Sequence, residues 1–169
     1  APVIVSQLLP VVQRLAKEGV TVVLVEQSVN IALTVAQRAY FLERGEIRFA
    51  GPTEELLNRP DILRSVFLSG AAHSDSLTNA LAHQTREIGS GIALRTQGVV
   101  AAFGGIRAVD GVSMDIREHE IVGIIGPNGA GKTTLFDVIS GYTPLQDGSI
   151  DIAGHNVTKS SPTARANFG

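Results

Sequence analysis

Gly126-Pro127-Asn128-Gly129-Ala130-Gly131-Lys132-Thr133 is a glycine-rich stretch that fits the pattern Gly-x-x-x-x-Gly-Lys-Ser/Thr. An apolar run, residues 121–125, precedes it, and residues 133–140 follow it with a helical pattern. The expected order is a buried strand, a loop and a helix, which is the setting that this motif requires. The motif and its surroundings together predict a loop that binds phosphate groups.

The residue types of this loop explain how it would hold phosphate. Its three glycines permit backbone angles that are closed to other residues, so that successive N–H groups can converge on phosphate oxygens. Lys132 would bring a positive charge to the β- and γ-phosphates, and Thr133 would bring a hydroxyl ligand for Mg²⁺. Thr134 is expected either to add a hydroxyl near the α-phosphate or to cap the helix, whose N-terminus also favours anions.

Composition argues against several classes of protein. The chain has 169 residues, a formal net charge of -2 and no run rich in Lys or Arg, so nucleic acid is not expected as a partner. It has no cysteine, which excludes disulfides and thiolate metal sites. No apolar run approaches the roughly 20 residues that span a bilayer, and no basic leader is seen. We expect a protein that is neither secreted nor membrane-spanning by its own sequence.

Residues 1–68 predict alternating helices and strands. Apolar residues recur at helical spacing up to Leu15, and Pro10 is expected to kink or restart that helix. The run Val20–Val25 is β-branched and does not alternate, which predicts a central parallel strand. The remaining predicted elements are a helix over Val29–Gln37, two strands over residues 40–49 that turn at Gly45, a helix capped by Thr53 and a helix over Asp61–Leu68.

The rest of the chain divides into a linker and a second folded segment. Residues 69–91 lose periodicity and are rich in Ser, Thr, Asn and Gly, which predicts the linker. Residues 92–169 predict antiparallel strands near 92–101 and 109–116, then the loop strand and helix, then a turn at Asp147-Gly148 into another strand. The expected fold class is α/β, a P-loop core with an antiparallel β-subdomain.

The second segment resembles the beginning of an ATP-binding-cassette (ABC) ATPase domain, and more closely the ATPase subunits of branched-chain amino acid uptake systems. The resemblance runs from Phe103-Gly104-Gly105 through Glu120-Ile121-Val122-Gly123 to the loop and Thr134-Leu135. It implies ATP and Mg²⁺ as ligands. The implied nucleotide-binding residues are Phe103, which would stack on adenine, Val109, Gly126, Asn128, Gly129, Ala130, Gly131, Lys132, Thr133 and Thr134, with Thr133 as the Mg²⁺ ligand.

The first segment resembles the end of a different cassette of the same family. Residues 22–28 resemble the switch strand, in which most members carry a histidine that caps the γ-phosphate and the attacking water. This chain has Gln27 there, a residue common at that place in one of the two branched-chain amino acid type ATPases. Gln27 and Lys132 are thus the implied catalytic residues. Because an amide cannot exchange protons as imidazole does, we expect nucleotide binding without efficient hydrolysis.

The order of the two segments is unusual for this family, because the end of one cassette precedes the beginning of another. This order implies an internal fragment of a protein in which two ATPase domains are fused in tandem. Residues 1–68 would come from the first domain and residues 92–169 from the second. The resemblance also implies a second ABC ATPase domain and transmembrane permease subunits as partners, and a cytoplasmic place on the inner face of the cell membrane. If the fragment folds as a permuted, incomplete cassette, residues 121–125 should pair with both Val20–Val25 and Tyr40–Arg44.

Two other functions are compatible with a phosphate-binding loop. One is a GTPase or a small-molecule kinase, although the chain lacks the guanine-reading Asn-Lys-x-Asp motif and carries an aromatic at Phe103. The other is a module that binds ATP or ADP weakly and hydrolyses nothing. Glu26, which precedes Gln27, matches a non-catalytic position of the family and is not expected to act as a base.

Overall fold

The computed structural model describes residues 2–27, 29–56, 58–62 and 88–168. Its helices are α1 (Pro2–Lys17), α2 (Val29–Val35), α3 (Thr53–Leu56), α4 (Lys132–Ser140) and α5 (Pro162–Ala166). Its strands are β1 (Val22–Glu26), β2 (Arg38–Glu43), β3 (Glu46–Pro52), β4 (Ile92–Phe103), β5 (Ile106–Arg117), β6 (Ile121–Ile125), β7 (Asp147–Ile152) and β8 (His155–Asn156). Most of the predicted linker, and residues 63–68 of the helix predicted before it, lie outside the described residues.

The first sheet has the strand order β1-β6-β2-β3, in which β1, β6 and β2 are parallel and β3 is antiparallel. Strand β6 belongs to the second segment of the chain, yet it lies between two strands of the first segment. Val22 aligns with Ile121 on one side of β6, and Arg38 aligns with Val122 on the other. The predicted pairing of residues 121–125 with both neighbours is confirmed.

Strand β6 is the most buried part of this sheet, since all five of its residues are buried. Its glycine allows a helix to lie close against it. A Cβ at Gly123 would lie 3.2 Å from the Cβ of Ala32 in α2, so a larger side chain would push the helix outward. The apolar run that predicted a buried strand therefore also fits closely beneath α2.

The second sheet is antiparallel, with the order β5-β4-β7-β8. Its long strands β4 and β5 alternate buried and exposed residues over much of their length, as expected for a sheet with one face on a core. The largest hydrophobic cluster joins this sheet to the first one and to α4, and it includes Tyr40, Leu42, Val99, Val112, Ile116, Ile124, Leu135, Val138 and Ile150. The fold is the expected P-loop core with an antiparallel β-subdomain.

An ion pair between a half-buried arginine and a buried carboxylate joins the two segments. The Glu120 carboxylate is 0% exposed and accepts hydrogen bonds from Arg38 Nη1 at 3.1 and 3.2 Å and from the Arg117 N–H at 2.9 Å. Burial would lower the pKa of the Arg38 guanidinium, but Tyr40 and Glu120 outweigh this effect and raise the pKa. Arg38 also donates to the Asp115 carbonyl oxygen at 3.2 Å, so the pair ties β2 to β5 and β6.

Three expectations about the first segment need correction. Helix α1 continues through Pro10 and does not restart there, because a proline removes only one backbone donor and the other bonds of a long helix remain. Strand β1 lies at the edge of its sheet with half-buried residues, and no strand of the described residues covers its other side. Helix α2 ends at Val35, before Gln37, because Gln37 bonds to Ile121 with its N–H at 3.0 Å and its Oε1 at 2.7 Å.

None of the helices in the described ranges is both long enough and apolar enough to cross a membrane.

Candidate functional site

The glycine-rich loop connects the end of β6 to the start of α4. At Gly131 the backbone angle φ is 100°, and a Cβ there would collide with the Ala108 carbonyl oxygen. Gly129 has a φ of 77° but faces open space. Gly131 is also the N-cap of α4 and supplies no side-chain cap, which suits a helix terminus that receives an anion. The loop therefore needs glycine for its backbone at both positions, and at Gly131 for its close packing as well.

A pocket of about 350 Å³ opens beside this loop. One side, the loop wall, consists of residues 128–134. The facing side, the strand wall, consists of Val25, Glu26 and Gln27, and Ala108 completes the lining. Because β1 and β6 are parallel and Glu26 aligns with Ile125, both strands end at the same edge of the sheet. The pocket is thus built at the carboxyl edge of the parallel strands.

Lys132 supplies the positive charge of the loop wall. Its Nζ donates hydrogen bonds to the carbonyl oxygens of Gly126 and Pro127, both at 2.8 Å. Burial lowers the pKa of the Lys132 ammonium, while the nearby Glu26 carboxylate acts in the opposite direction. The lysine is therefore a partly desolvated cation held over the loop by backbone carbonyls.

The turn between β2 and β3 supports the loop from the side of the first segment. The Gly45 N–H donates to the Ala130 carbonyl oxygen at 2.9 Å, and the Gly45 carbonyl oxygen accepts the Asp110 N–H at 2.9 Å. Gly45 has a φ of 82°, and a Cβ there would lie 3.0 Å from the Ala108 carbonyl oxygen. The sequence predicted a turn at Gly45 but gave no sign that this turn contacts the loop.

Most of the residues expected at the site line the pocket, namely Gln27, Asn128, Gly129, Ala130, Gly131, Lys132, Thr133 and Thr134. Three others do not line it. Gly126 is buried beneath the loop, Val109 is fully buried in the core and Phe103 lies exposed near the β4–β5 turn. The lining residues that sequence reasoning missed are Val25, Glu26 and Ala108. Glu26 is next to Gln27 in the sequence and Ala108 is next to Val109, and this adjacency could have indicated that both residues lie near the site.

The chemistry of the lining suits a phosphate group together with a hard cation. Backbone amides at the start of a helix and the Lys132 ammonium favour an anion. The exposed Thr133 hydroxyl and the Glu26 carboxylate are oxygen donors of the kind that Mg²⁺ prefers. Mg²⁺ in such sites commonly takes one or two protein ligands and completes its shell with phosphate oxygens and water. The residues present therefore fit a phosphate group together with Mg²⁺.

Strand β6, the glycine-rich loop and α4 together have the strand, loop and helix order that the sequence predicted for a P-loop. Residues 109–169 match the family described as ABC transporter. An uncharacterized ABC transporter ATP-binding protein of Rhizobium meliloti is 45% identical over 76 residues, which cover 45% of this chain and 28% of that protein. The LivG branched-chain amino acid transport ATP-binding protein of Salmonella typhimurium is 48% identical over 59 residues, which cover 35% of this chain and 23% of that protein.

A third relative is the probable branched-chain amino acid transport ATP-binding protein LivG of Methanocaldococcus jannaschii, 37% identical over 45% of this chain and 30% of its own length. Among solved structures, a nucleotide-free ATP-binding cassette from an ABC transporter aligns with a TM-score of 0.45 and 36% identity, over 46% of this chain and 31% of that one. The chain spans less than a third of the length of each of these relatives.

Proposed function

We propose that the pocket binds ATP with Mg²⁺ and that the chain is part of an ATP-hydrolysing subunit of an ABC transporter. The observation that carries this proposal is the pocket itself, in which the loop wall with Lys132 faces the strand wall with Gln27. The names of the Salmonella and Methanocaldococcus relatives support branched-chain amino acids or related compounds as the cargo.

Each side of the pocket has a distinct role in this proposal. The loop amides and Lys132 bind the β- and γ-phosphates, and Thr134 lies toward the α-phosphate. The Thr133 hydroxyl binds Mg²⁺, which offsets charge on the phosphates. Gln27, the residue directly after β1, faces the γ-phosphate. The exposed ring of Phe103 stacks on the adenine, beside the backbone of Val109.

The same geometry supports slow hydrolysis by this chain. Gln27 can hold a water molecule by hydrogen bonds, but its amide cannot accept the proton that the water must lose. We therefore propose that the 169-residue chain binds nucleotide without efficient turnover. In the parent protein, residues 1–68 and 92–169 belong to two ATPase domains joined by residues 69–91. A partner ATPase domain and permease subunits hold that protein at the inner face of the cell membrane.

A nucleotide titration tests this proposal. We expect the purified chain to bind a fluorescent ATP analogue, and we expect Lys132→Ala to weaken binding by at least about tenfold because the charged contact to phosphate is lost. Lys159→Ala is the matched control, since it removes an exposed lysine that does not line the pocket. An equal loss of nucleotide affinity in both variants would contradict the proposed binding site.

Two further measurements decide between the alternatives. GTP binding more tightly than ATP would favour the GTPase class and contradict adenine recognition. Rapid phosphate release by the chain, abolished in Lys132→Ala, would contradict the proposal of a binding module with slow turnover.

A further inference from the structure

Glu26 places a negative charge in the wall of a pocket suited to anions. It is the last residue of β1, it is half-buried, and it lines the pocket together with Lys132 and Thr133. Its Oε2 accepts the N–H of Gln27 at 3.2 Å, which holds the carboxylate near the end of the strand. The position follows from the parallel pairing with β6, because Glu26 aligns with Ile125, the last residue before the loop.

No cation forms an ion pair with this carboxylate within the described residues. The ion pairs found there do not include Glu26. Lys132 is close enough to feel its charge, but the hydrogen bonds of the Lys132 ammonium go to the Gly126 and Pro127 carbonyl oxygens. The strand wall thus presents net negative charge toward the loop that receives phosphate.

A carboxylate and a polyphosphate repel each other, and the repulsion is strong in a partly desolvated pocket. A divalent cation between them turns that repulsion into attraction, since both groups are oxygen ligands for a hard cation. We propose that Glu26 makes nucleotide binding at this pocket conditional on a divalent cation. This inference rests on the proposed nucleotide site and assigns Glu26 a role in specificity, not as a catalytic base.

The experiment compares ADP affinity with and without MgCl₂ in the whole chain and its variants, by titration calorimetry. Glu26→Gln removes the charge but keeps an oxygen that can accept the Gln27 N–H. We expect this variant to bind Mg²⁺-free ADP about threefold or more tighter than the wild type, and to lose about fivefold or more of the enhancement by Mg²⁺. Glu54→Gln is the matched control, since it makes the same charge change at an exposed position outside the pocket.

The outcomes separate this inference from the proposed function. Wild-type chain that binds no ADP under either condition overturns both. Wild-type chain that binds ADP, with the same enhancement by Mg²⁺ in Glu26→Gln, overturns the role of Glu26 alone. If Glu26→Gln does not fold, Glu26→Asp decides, because it withdraws the carboxylate from the pocket. An Mg²⁺ enhancement of ADP affinity in Glu26→Asp that lies between the wild-type value and the value expected for Glu26→Gln supports the role. An enhancement equal to that of the wild type overturns it.

Discussion

The two segments of the chain contribute to the pocket in different ways. The second segment, residues 92–169, contains the glycine-rich loop and the whole region that matches the ABC transporter family. The first segment, residues 1–68, contains no such motif, yet it supplies both strands beside β6 and the strand wall of the pocket. A motif can therefore mark one wall of a pocket while the facing wall is formed by residues that carry no motif.

The two walls also depend on different forces. The loop wall is fixed locally, by backbone angles that only glycine adopts easily, such as the φ of 100° at Gly131. The strand wall is fixed by the register of β1 against β6, and a shift of one residue would turn Gln27 away from the loop. Four experiments test what the two segments contribute, and they follow in order of decreasing expected effect.

The largest effect is expected where the two segments meet. Glu120→Ala would leave Arg38 without its buried carboxylate partner and the Arg117 N–H without an acceptor, so we expect the free energy of unfolding to fall by about 3 kcal/mol. Urea denaturation followed by circular dichroism measures this. Arg107→Ala, which breaks an exposed ion pair within the second segment, is the control and should have a much smaller effect. Equal effects would mean that the ion pair between Arg38 and Glu120 does not hold the segments together.

The second effect concerns the loop wall. Gly131→Ala should reduce nucleotide affinity by about tenfold or more and destabilise the fold by about 2 kcal/mol, because the new Cβ is strained and collides with Ala108. Gly129→Ala introduces backbone strain without a collision, so we expect it to destabilise the fold by about 1 kcal/mol. Calorimetric titration and denaturation of both variants give the comparison. If Gly129→Ala were the more damaging change, packing against Ala108 would not be what fixes the loop.

A smaller effect is expected at the aromatic ring near the β4–β5 turn. Phe103→Ala should weaken ATP binding by about fivefold, because stacking on a base contributes about 1 kcal/mol. Phe136→Ala is the control, since Phe136 is 47% exposed and Phe103 is 55% exposed, and neither lines the pocket. Titration with ATP and with inorganic triphosphate separates base from phosphate contacts. A loss of equal size for triphosphate would rule out stacking on the base.

The smallest effect is expected at a surface pair inside the second segment. The hydrogen bond from Arg95 lowers the pKa of the Asp115 carboxyl below its ordinary value of 3.8. Since the folded pKa is the lower one, the pair contributes stability above about pH 4, and this contribution is lost as the pH falls through the folded pKa. Arg95→Ala should therefore destabilise slightly at neutral pH and not at strongly acidic pH. A destabilisation that persists in acid, measured by urea denaturation, would mean that packing of the Arg95 side chain matters instead.

Sequence reasoning succeeded where one local pattern dominates. The strand, loop and helix around Lys132 follow from an apolar run, three glycines and a helical pattern, and the structure contains all three. The antiparallel pair β4–β5 was also predicted, as strands near residues 92–101 and 109–116. Strand β1 was predicted as central because its β-branched residues do not alternate, but its neighbours are decided by strands elsewhere in the chain. Pairing of distant segments is not visible in local periodicity.

The residues missed at the site have the same explanation. The sequence around Gly45 predicts only a turn, and its hydrogen bond to Ala130 joins this turn to the distant glycine-rich loop. The sequence around Glu26 predicts only a strand residue, and the position of Glu26 on the pocket wall depends on the alignment of β1 with β6. Neither contact leaves a pattern in the residues beside it.

The sequence by itself determined the glycine-rich loop, because backbone freedom at glycine and the charge of Lys132 are properties of adjacent residues. It also determined which runs are apolar enough to become strands. Only the tertiary structure decided that β6 lies between β1 and β2, so that Glu26 and Gln27 face the loop and Arg38 meets Glu120. The physical reason is that burial of β6 on both sides and pairing of its backbone groups require partners from a distant part of the chain.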